Sequence, residues 1–242
     1  MKPNDGPIPF KDYEDYVRAE WDKFLNEPDR SRAALEAIAG INLRHALDIG
    51  CGAGQELLPF VTQNGVRGVG IDISADVGKV GREMYAEREP RALVSFVRAS
   101  AENLPFPANS FDVVICRLAL PYTDNRQAFA EVARVLRPQG RYFLKISGVR
   151  WYLLELRKGL LTGNVMSFIH AARVLAAGVL YHLTGRQPRT RIPSSETFQS
   201  EWLLRRELNR HGLFIKGKAP DSNRITPSFV IVKETLTSSS GD

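Results

Sequence analysis

The sequence predicts an α/β fold: a seven-stranded, mostly parallel sheet with helices before it and a helical insertion after the fifth strand. Three observations predict it. Between residues 44 and 146, strand-length apolar runs alternate with helix-spaced stretches, which implies right-handed crossovers between parallel strands. The 242 residues are 43% hydrophobic and 25% charged, a composition for one elaborated domain rather than two with a linker. Near the end, "LFIKGK" and "SFVIVKE" have no helix between them and read as an antiparallel hairpin closing the sheet edge.

The elements follow in order. The start, "MKPNDGPIPFKDYEDY", has no apolar core, so it reads as a frayed arm rather than a signal peptide. Two helical stretches follow, about 11–26 and 29–39, and the arm and helices together make a unit over 1–40. The core, 41–148, opens with the strand "RHALDIG". "GQELLPFVTQNG" is a helix closed by Gly65, "VRGVGIDI" the second strand, and Ser74 the N-cap of a helix running to about Arg88. "LVSFVRA" and "SFDVVICRL" are strands three and four. In "DNRQAFAEVARVLRP", Phe129, Val132, Val135 and Leu136 share one helical face, and Pro138 stops the helix. "GRYFLKIS" is strand five. Residues 149–193 have a different texture, apolar and basic, and read as a helical cap. A helix at about 195–211 and the closing strands complete the core within 194–236, leaving 237–242 as a tail.

Charge is local. Residues 1–140 carry 17 basic and 20 acidic side chains, whereas residues 141–218 carry 14 and 4, a balance of +10. Such an excess attracts phosphates, anionic lipid or acidic substrates, or simply keeps a surface solvated. The two cysteines, Cys51 and Cys116, are too few for a disulfide framework and read as reduced thiols of a cytoplasmic protein.

The chemistry concentrates in "HALDIGCGAGQELLPF", residues 45–60. Gly50, Gly52 and Gly54 follow the first strand, where open parallel sheets bind ligands. Asp48 precedes them, and Asp72 closes strand two, where a carboxylate can accept both hydroxyls of a ribose. A dinucleotide turn prefers G-x-G-x-x-G; here Gln55 and Glu56 follow, and a carboxylate at that helix start would repel a pyrophosphate. A ligand with ribose but no phosphate fits better.

These segments resemble class I S-adenosylmethionine-dependent methyltransferases, whose sheet is Rossmann-like. "ALDIGCGAGQE" and "GVGIDIS" are similar to the family's first two motifs. "SAENLPFPANSFDVVICRLAL" and "EVARVLRPQGRYFLKI" resemble later ones, in the branch that includes quinone-biosynthesis and natural-product enzymes. The resemblance covers about 44–147 and implies S-adenosyl-L-methionine as cofactor and S-adenosyl-L-homocysteine as product. It implies that Asp48 orients the turn and reaches the methionine end, and that backbone at Gly50, Cys51, Gly52 and Gly54 lines methionine and ribose. Asp72 would hold the ribose hydroxyls and Ile73 would press on the adenine. Ala101 would offer its N–H to an adenine nitrogen, Arg117 its carbonyl to the cofactor's amino group, and Leu118 would pack beside it. Ser100 stands where the family commonly has Asp, so it would accept from the adenine amino group without charge; Glu102 either compensates or is a solvated loop acid. Pro138-Gln139-Gly140 replaces the family's Pro-Gly-Gly.

Tyr13 and Tyr16 share a helix face, and family members use such a helix as a lid with an aromatic hydroxyl, assigned here to Tyr16. No catalytic residue is assigned: His170, His182, Tyr122 and Asp124 are candidates, while His45 and His211 read as structural. No metal is called for. The reaction expected is methyl transfer to an O, N or C atom of a small molecule. A lipid-directed enzyme, a non-catalytic cofactor-binding module and a nicotinamide oxidoreductase are the rivals. Residues 149–193 are a lid, a dimer interface or a lipid-binding surface; Arg173 and two histidines argue against a transmembrane helix. Nucleic acid is disfavoured, because no binding module is recognisable and aromatics do not interleave the basic cluster. Peripheral membrane contact stays open, as does the choice of monomer or homodimer.

Overall fold

The computed structural model describes residues 13–63, 65–188 and 196–234. The arm's first twelve residues, the basic stretch 189–195 and the tail 237–242 lie outside them. Seven strands form one sheet in the order β3-β2-β1-β4-β5-β7-β6. They are β1 (His45–Ile49), β2 (Arg67–Asp72), β3 (Leu93–Arg98), β4 (Phe111–Arg117), β5 (Leu136–Lys145), β6 (Leu213–Lys218) and β7 (Ser228–Lys233). The first five are parallel; β7 runs antiparallel between β5 and β6. The hairpin therefore closes the edge as its sequence indicates.

The period of two along each strand sorts side chains between two cores. Leu47, Ile49, Ile71, Val114 and Cys116 face α5 (Asn125–Val135) and α8 (Glu201–Asn209). Ala46, Val113, Ile115 and Phe143 face α1 (Tyr13–Leu25), α3 (Leu58–Val61) and α4 (Lys79–Arg88), with α2 (Pro28–Glu36) at their rim. The same alternation sends Asp48, Asp72, Arg117 and Lys145 to the α1 side of the sheet. At the opposite, amino-terminal end, Asp112 accepts from the Arg44 and His45 amides and from Arg137, which pins β1 to β4.

Four helices depart from the sequence expectation. The stretch after the glycine turn is a 3-10 turn (Gln55–Leu57) followed by the one-turn α3. Helix α4 starts at Lys79, not after Ser74: the Asp72 carboxylate accepts from the Ser74 amide, the Ser74 hydroxyl accepts from the Asp76 amide, and Gly78 (φ +74°) sets the real start. These local turns consume the capping groups before a helix forms. Helix α8 begins at Glu201 with Ser200 as N-cap, because Glu196, Thr197 and Gln199 are buried and Gln199 bridges to Gly148. Helix α5 ends at Val135 and Leu136 already belongs to β5, so Pro138 lies in the strand's irregular start rather than at the helix end. Gln139 there takes φ +64°, a conformation that favours glycine.

After β5 comes an antiparallel helix pair, α6 (Val149–Thr162) and α7 (Val165–Thr184), joined through Gly163 and Asn164. Its base is tied to the loop after β4: the Gln187 amide donates to the Thr123 carbonyl and accepts from the Asn125 N–H. Tyr152 on α6 donates to the buried Glu196 at 2.8 Å.

Candidate active site

The site is built at the carboxyl ends of β1, β2 and β4. The chain crosses to β2 on one side of β1 and returns to β4 on the other, leaving a crevice at that switch in strand order. The β1 turn is narrow. The Gly50 and Cys51 amides both donate to the Ile71 carbonyl at 2.9 Å, and the Gly54 amide closes on the Cys51 carbonyl at 2.7 Å. Gly50 has φ +71°, and a Cβ there would stand 2.4 Å from the Ala119 Cβ after β4. Glycine thus lets the two loops touch. Helix α1 covers the turn through Val17, against Gly52.

Asp72 is half-buried beside this turn and accepts from the Gly52 amide at 3.4 Å and the Ser74 amide at 2.9 Å. A carboxylate offers about four acceptor directions, so these two amides leave room for hydroxyl donors, the Tyr13 phenol among them. Ile73 follows with its side chain 53% exposed, an apolar surface beside the acid. Ala101 is buried. The Ser100 hydroxyl bonds to Glu102, whose other oxygen accepts from the Asp124 amide at 2.8 Å. Glu102 is therefore neither solvated nor free: it ties the loop to the start of α5. Donation to that carboxylate also polarises the Ser100 oxygen, strengthening it as an acceptor. Leu118 carries φ +60° and is 41% exposed. A leucine held there is a strained feature of the kind that gathers at ligand sites.

Asp48 is 2% exposed, and its Oδ2 has no hydrogen-bond partner among the described residues. Burial pushes its carboxyl up to about 7 against the opposing pull of Arg117 and Arg30. The folded state therefore holds a proton that the unfolded chain releases near pH 4. Stability from this group is full at low pH and is lost as pH rises through the window from about 4 to about 7. Asp48→Asn is expected to raise the thermal midpoint at pH 8 and to flatten its fall across that window; thermal melts from pH 4.5 to pH 8 without ligand check it. The Gln55 Oε1 is likewise buried without a partner among the described residues, and the buried Tyr13 hydroxyl stands against Asp72. Burial, then Asp72, holds the Tyr13 phenol well above its usual range; Tyr16, half-buried, is raised by burial, then Glu20 and Asp72. Both tyrosines thus stand near the turn. Burial also pushes both thiols up, Cys116 to about 12, so neither is a nucleophile at neutral pH.

Sequence reasoning missed an ion network. Arg117 was assigned through its carbonyl alone. Its side chain bonds to Glu56 at 3.0 Å and to Asp221 at 2.8 Å. Glu56 also pairs with Arg30 of α2, and Asp221 with Lys145 at 2.9 Å. Glu56, read from sequence as an acid facing the ligand, is 7% exposed and turned into this network. Burial opposes it, yet Arg117 and Lys145 hold the Asp221 carboxyl down to about 2. Burial, with Arg117 nearby, lowers Arg30 to about 10. Five elements contribute one charge each, and no local spacing announces them.

The histidines are engaged elsewhere. His182 lies between the Gly178 carbonyl and the Ser200 hydroxyl and stacks on Phe198. His170 of α7 pairs at 3.2 Å with Glu196, the acid that also accepts from Tyr152. His45 sits at the amino end of β1, remote from the crevice, and His211 follows α8. Tyr122, 60% exposed in the loop after β4, is the acceptor-side candidate left open to solvent, and Asp124 caps α5.

Residues 47–144 match a family model described as a methyltransferase domain. The uncharacterized methyltransferase YcgJ of Bacillus subtilis (strain 168) is 39% identical over 102 residues, 40% of this chain and 38% of that protein. A demethylmenaquinone methyltransferase of Symbiobacterium thermophilum is 30% identical over 158 residues, 59% of this chain and 63% of that protein. The chain thus matches less than two thirds of either relative's length. The solved structure of an O-methyltransferase family protein from Burkholderia thailandensis has the same fold, with a TM-score of 0.63 at 14% identity over 93% of this chain and 60% of that one. The methyltransferase-domain match runs from β1 to β5, through the strands that carry the glycine turn and Asp72, so this part of the chain is similar to methyltransferases.

Proposed function

We propose that this chain transfers a methyl group from S-adenosylmethionine to an O, N or C atom of a small-molecule acceptor. The observation that carries the reading is the crevice itself: a glycine turn pressed on the β4 loop, with the Asp72 carboxylate beside it and polar atoms on Asp48 and Gln55 left without partners among the described residues. These residues suit a nucleoside with a charged amino-acid tail. Asp72 would hold the ribose hydroxyls, Ile73 the adenine face, and Ser100 and Ala101 the adenine edge. Asp48 and the backbone of Gly50 and Gly52 would meet the methionine end. Bound there, the cofactor supplies an electrophilic methyl and a neutral leaving group, which is the demanding part of the chemistry.

The protein's share is alignment and exclusion of water, and orientation alone recovers roughly 7–11 kcal/mol of barrier. Helix α1 covers the turn, and the cap is fastened over the β4 loop through Gln187. An acceptor would enter between them, beside Tyr122. The relatives' names, a demethylmenaquinone methyltransferase among them, support a small-molecule acceptor. Both cysteines are free thiols, which suits a reducing compartment such as the cytoplasm.

Calorimetry tests the reading. S-adenosylhomocysteine is expected to bind, and Asp72→Ala to weaken it by about 1.5–3 kcal/mol, the range for hydrogen bonds to a charged group. Tight binding of a nicotinamide dinucleotide with none of the homocysteine product overturns it.

A further inference from the structure

We propose that the outer face of the α6–α7 hairpin docks onto the surface of an anionic lipid bilayer. Helix α7 is apolar on two opposite sides. Its inner side, Ala171, Val174, Gly178 and Tyr181, is buried on the body of the protein, and a Cβ on Gly178 would stand 2.1 Å from the Phe198 ring. Its outer side carries Val165, Ile169, Val179 and Leu183, exposed by 64%, 54%, 51% and 80%. At 100° per residue these four fall in one stripe running the length of the helix, with no charged side chain in it. The pattern matches a helix whose second apolar face also leaves water.

Helix α6 supplies the charge. Its outward face interleaves Leu154 and Leu161 with Arg150, Arg157 and Lys158, all exposed, and includes no acid; Glu155 is half-buried off that face. Trp202 of α8, 59% exposed, stacks on His182 in the last turn of α7. Apolar side chains reaching past a row of cations fit a layer with acyl chains beneath anionic headgroups.

Geometry and charge choose among occupants. Helix α7 has the length and composition to cross a membrane, but only by giving up the packing of its inner side. It therefore lies along the surface. A second copy seated on the same face would bring Arg150, Arg157 and Lys158 against their own counterparts without acids to meet them, which opposes a two-fold contact.

The inference stands apart from the methyl-transfer reading, since none of these residues lines the crevice. The test is co-sedimentation of the full chain with phosphatidylcholine vesicles, with and without phosphatidylglycerol, at low and high salt. The chain is expected to pellet with the anionic vesicles at low salt and to be released by high salt. Arg157→Gln with Lys158→Gln, and separately Leu161→Glu with Val165→Glu, should each weaken partitioning about tenfold or more, with unchanged thermal melts and S-adenosylhomocysteine binding. These side chains are exposed on the hairpin tip, so folding is not at stake. A wild-type chain that stays in the supernatant overturns the proposal. So do variants that bind like wild type, or a dimer in analytical ultracentrifugation that the leucine variant dissociates.

Discussion

Glu56→Ala is expected to destabilise the protein by about 3–5 kcal/mol, the cost of stranding a buried charge by removing its partner. Glu56 is the only described acid shared by Arg30 and Arg117, whose side chains are 10% and 16% exposed. With it in place the network holds three cations and two buried acids; without it, the three cations keep Asp221 and the half-exposed Glu27, 3.5 Å from Arg30. Burial and Arg117 already lower the affinity of Arg30 for its proton, so the site has no reserve for a second uncompensated charge. Urea denaturation checks the value through a lower midpoint at constant slope. A matched control separates lost charge balance from lost packing. Glu56→Leu combined with Arg30→Leu restores the original net charge and fills the space, and should cost less than Glu56→Ala alone. A single-variant loss below about 1 kcal/mol would mean the network behaves as a solvated surface pair.

The fold was legible because each strand carries its own local signal. β4, "FDVVICR", is buried along nearly its whole length, as an interior parallel strand must be, and the closing hairpin lacks a crossover helix. The crevice was legible for a related reason: Gly50, Gly52, Gly54 and Asp72 sit at strand ends, where sequence position dictates place in the sheet. Helix starts were less legible. Ser74 has the composition of an N-cap, but the Asp72 carboxylate claims its amide first, and only tertiary placement of Asp72 decides that competition. The ion network was invisible for the strongest reason. Arg30, Glu56, Arg117, Lys145 and Asp221 come from separate elements, and period-two alternation of β4 and β5 brings Arg117 and Lys145 to one face only once the sheet exists.

Gly50→Ala is expected to disable the crevice as well as weaken the fold. Two costs combine. A non-glycine residue held at φ +71° costs about 1–3 kcal/mol in backbone strain. The new Cβ would also stand 2.4 Å from the Ala119 Cβ, closer than two methyl groups can approach. One loop must shift, and overpacking of this kind costs about 1–3 kcal/mol. The turn cannot yield easily, because the Gly50 and Cys51 amides are both committed to the Ile71 carbonyl at the end of β2. The β4 loop would move instead, taking with it Leu118, whose left-handed backbone follows directly on Arg117. A thermal melt and a calorimetric titration with S-adenosylhomocysteine read the two consequences separately. Adding Ala119→Gly removes the steric part and leaves the strain. The double variant should therefore recover stability in part and cofactor affinity more fully, since affinity depends on where the β4 loop sits. Equal losses in the single and double variants would mean that contact between the two loops does not set the crevice's shape.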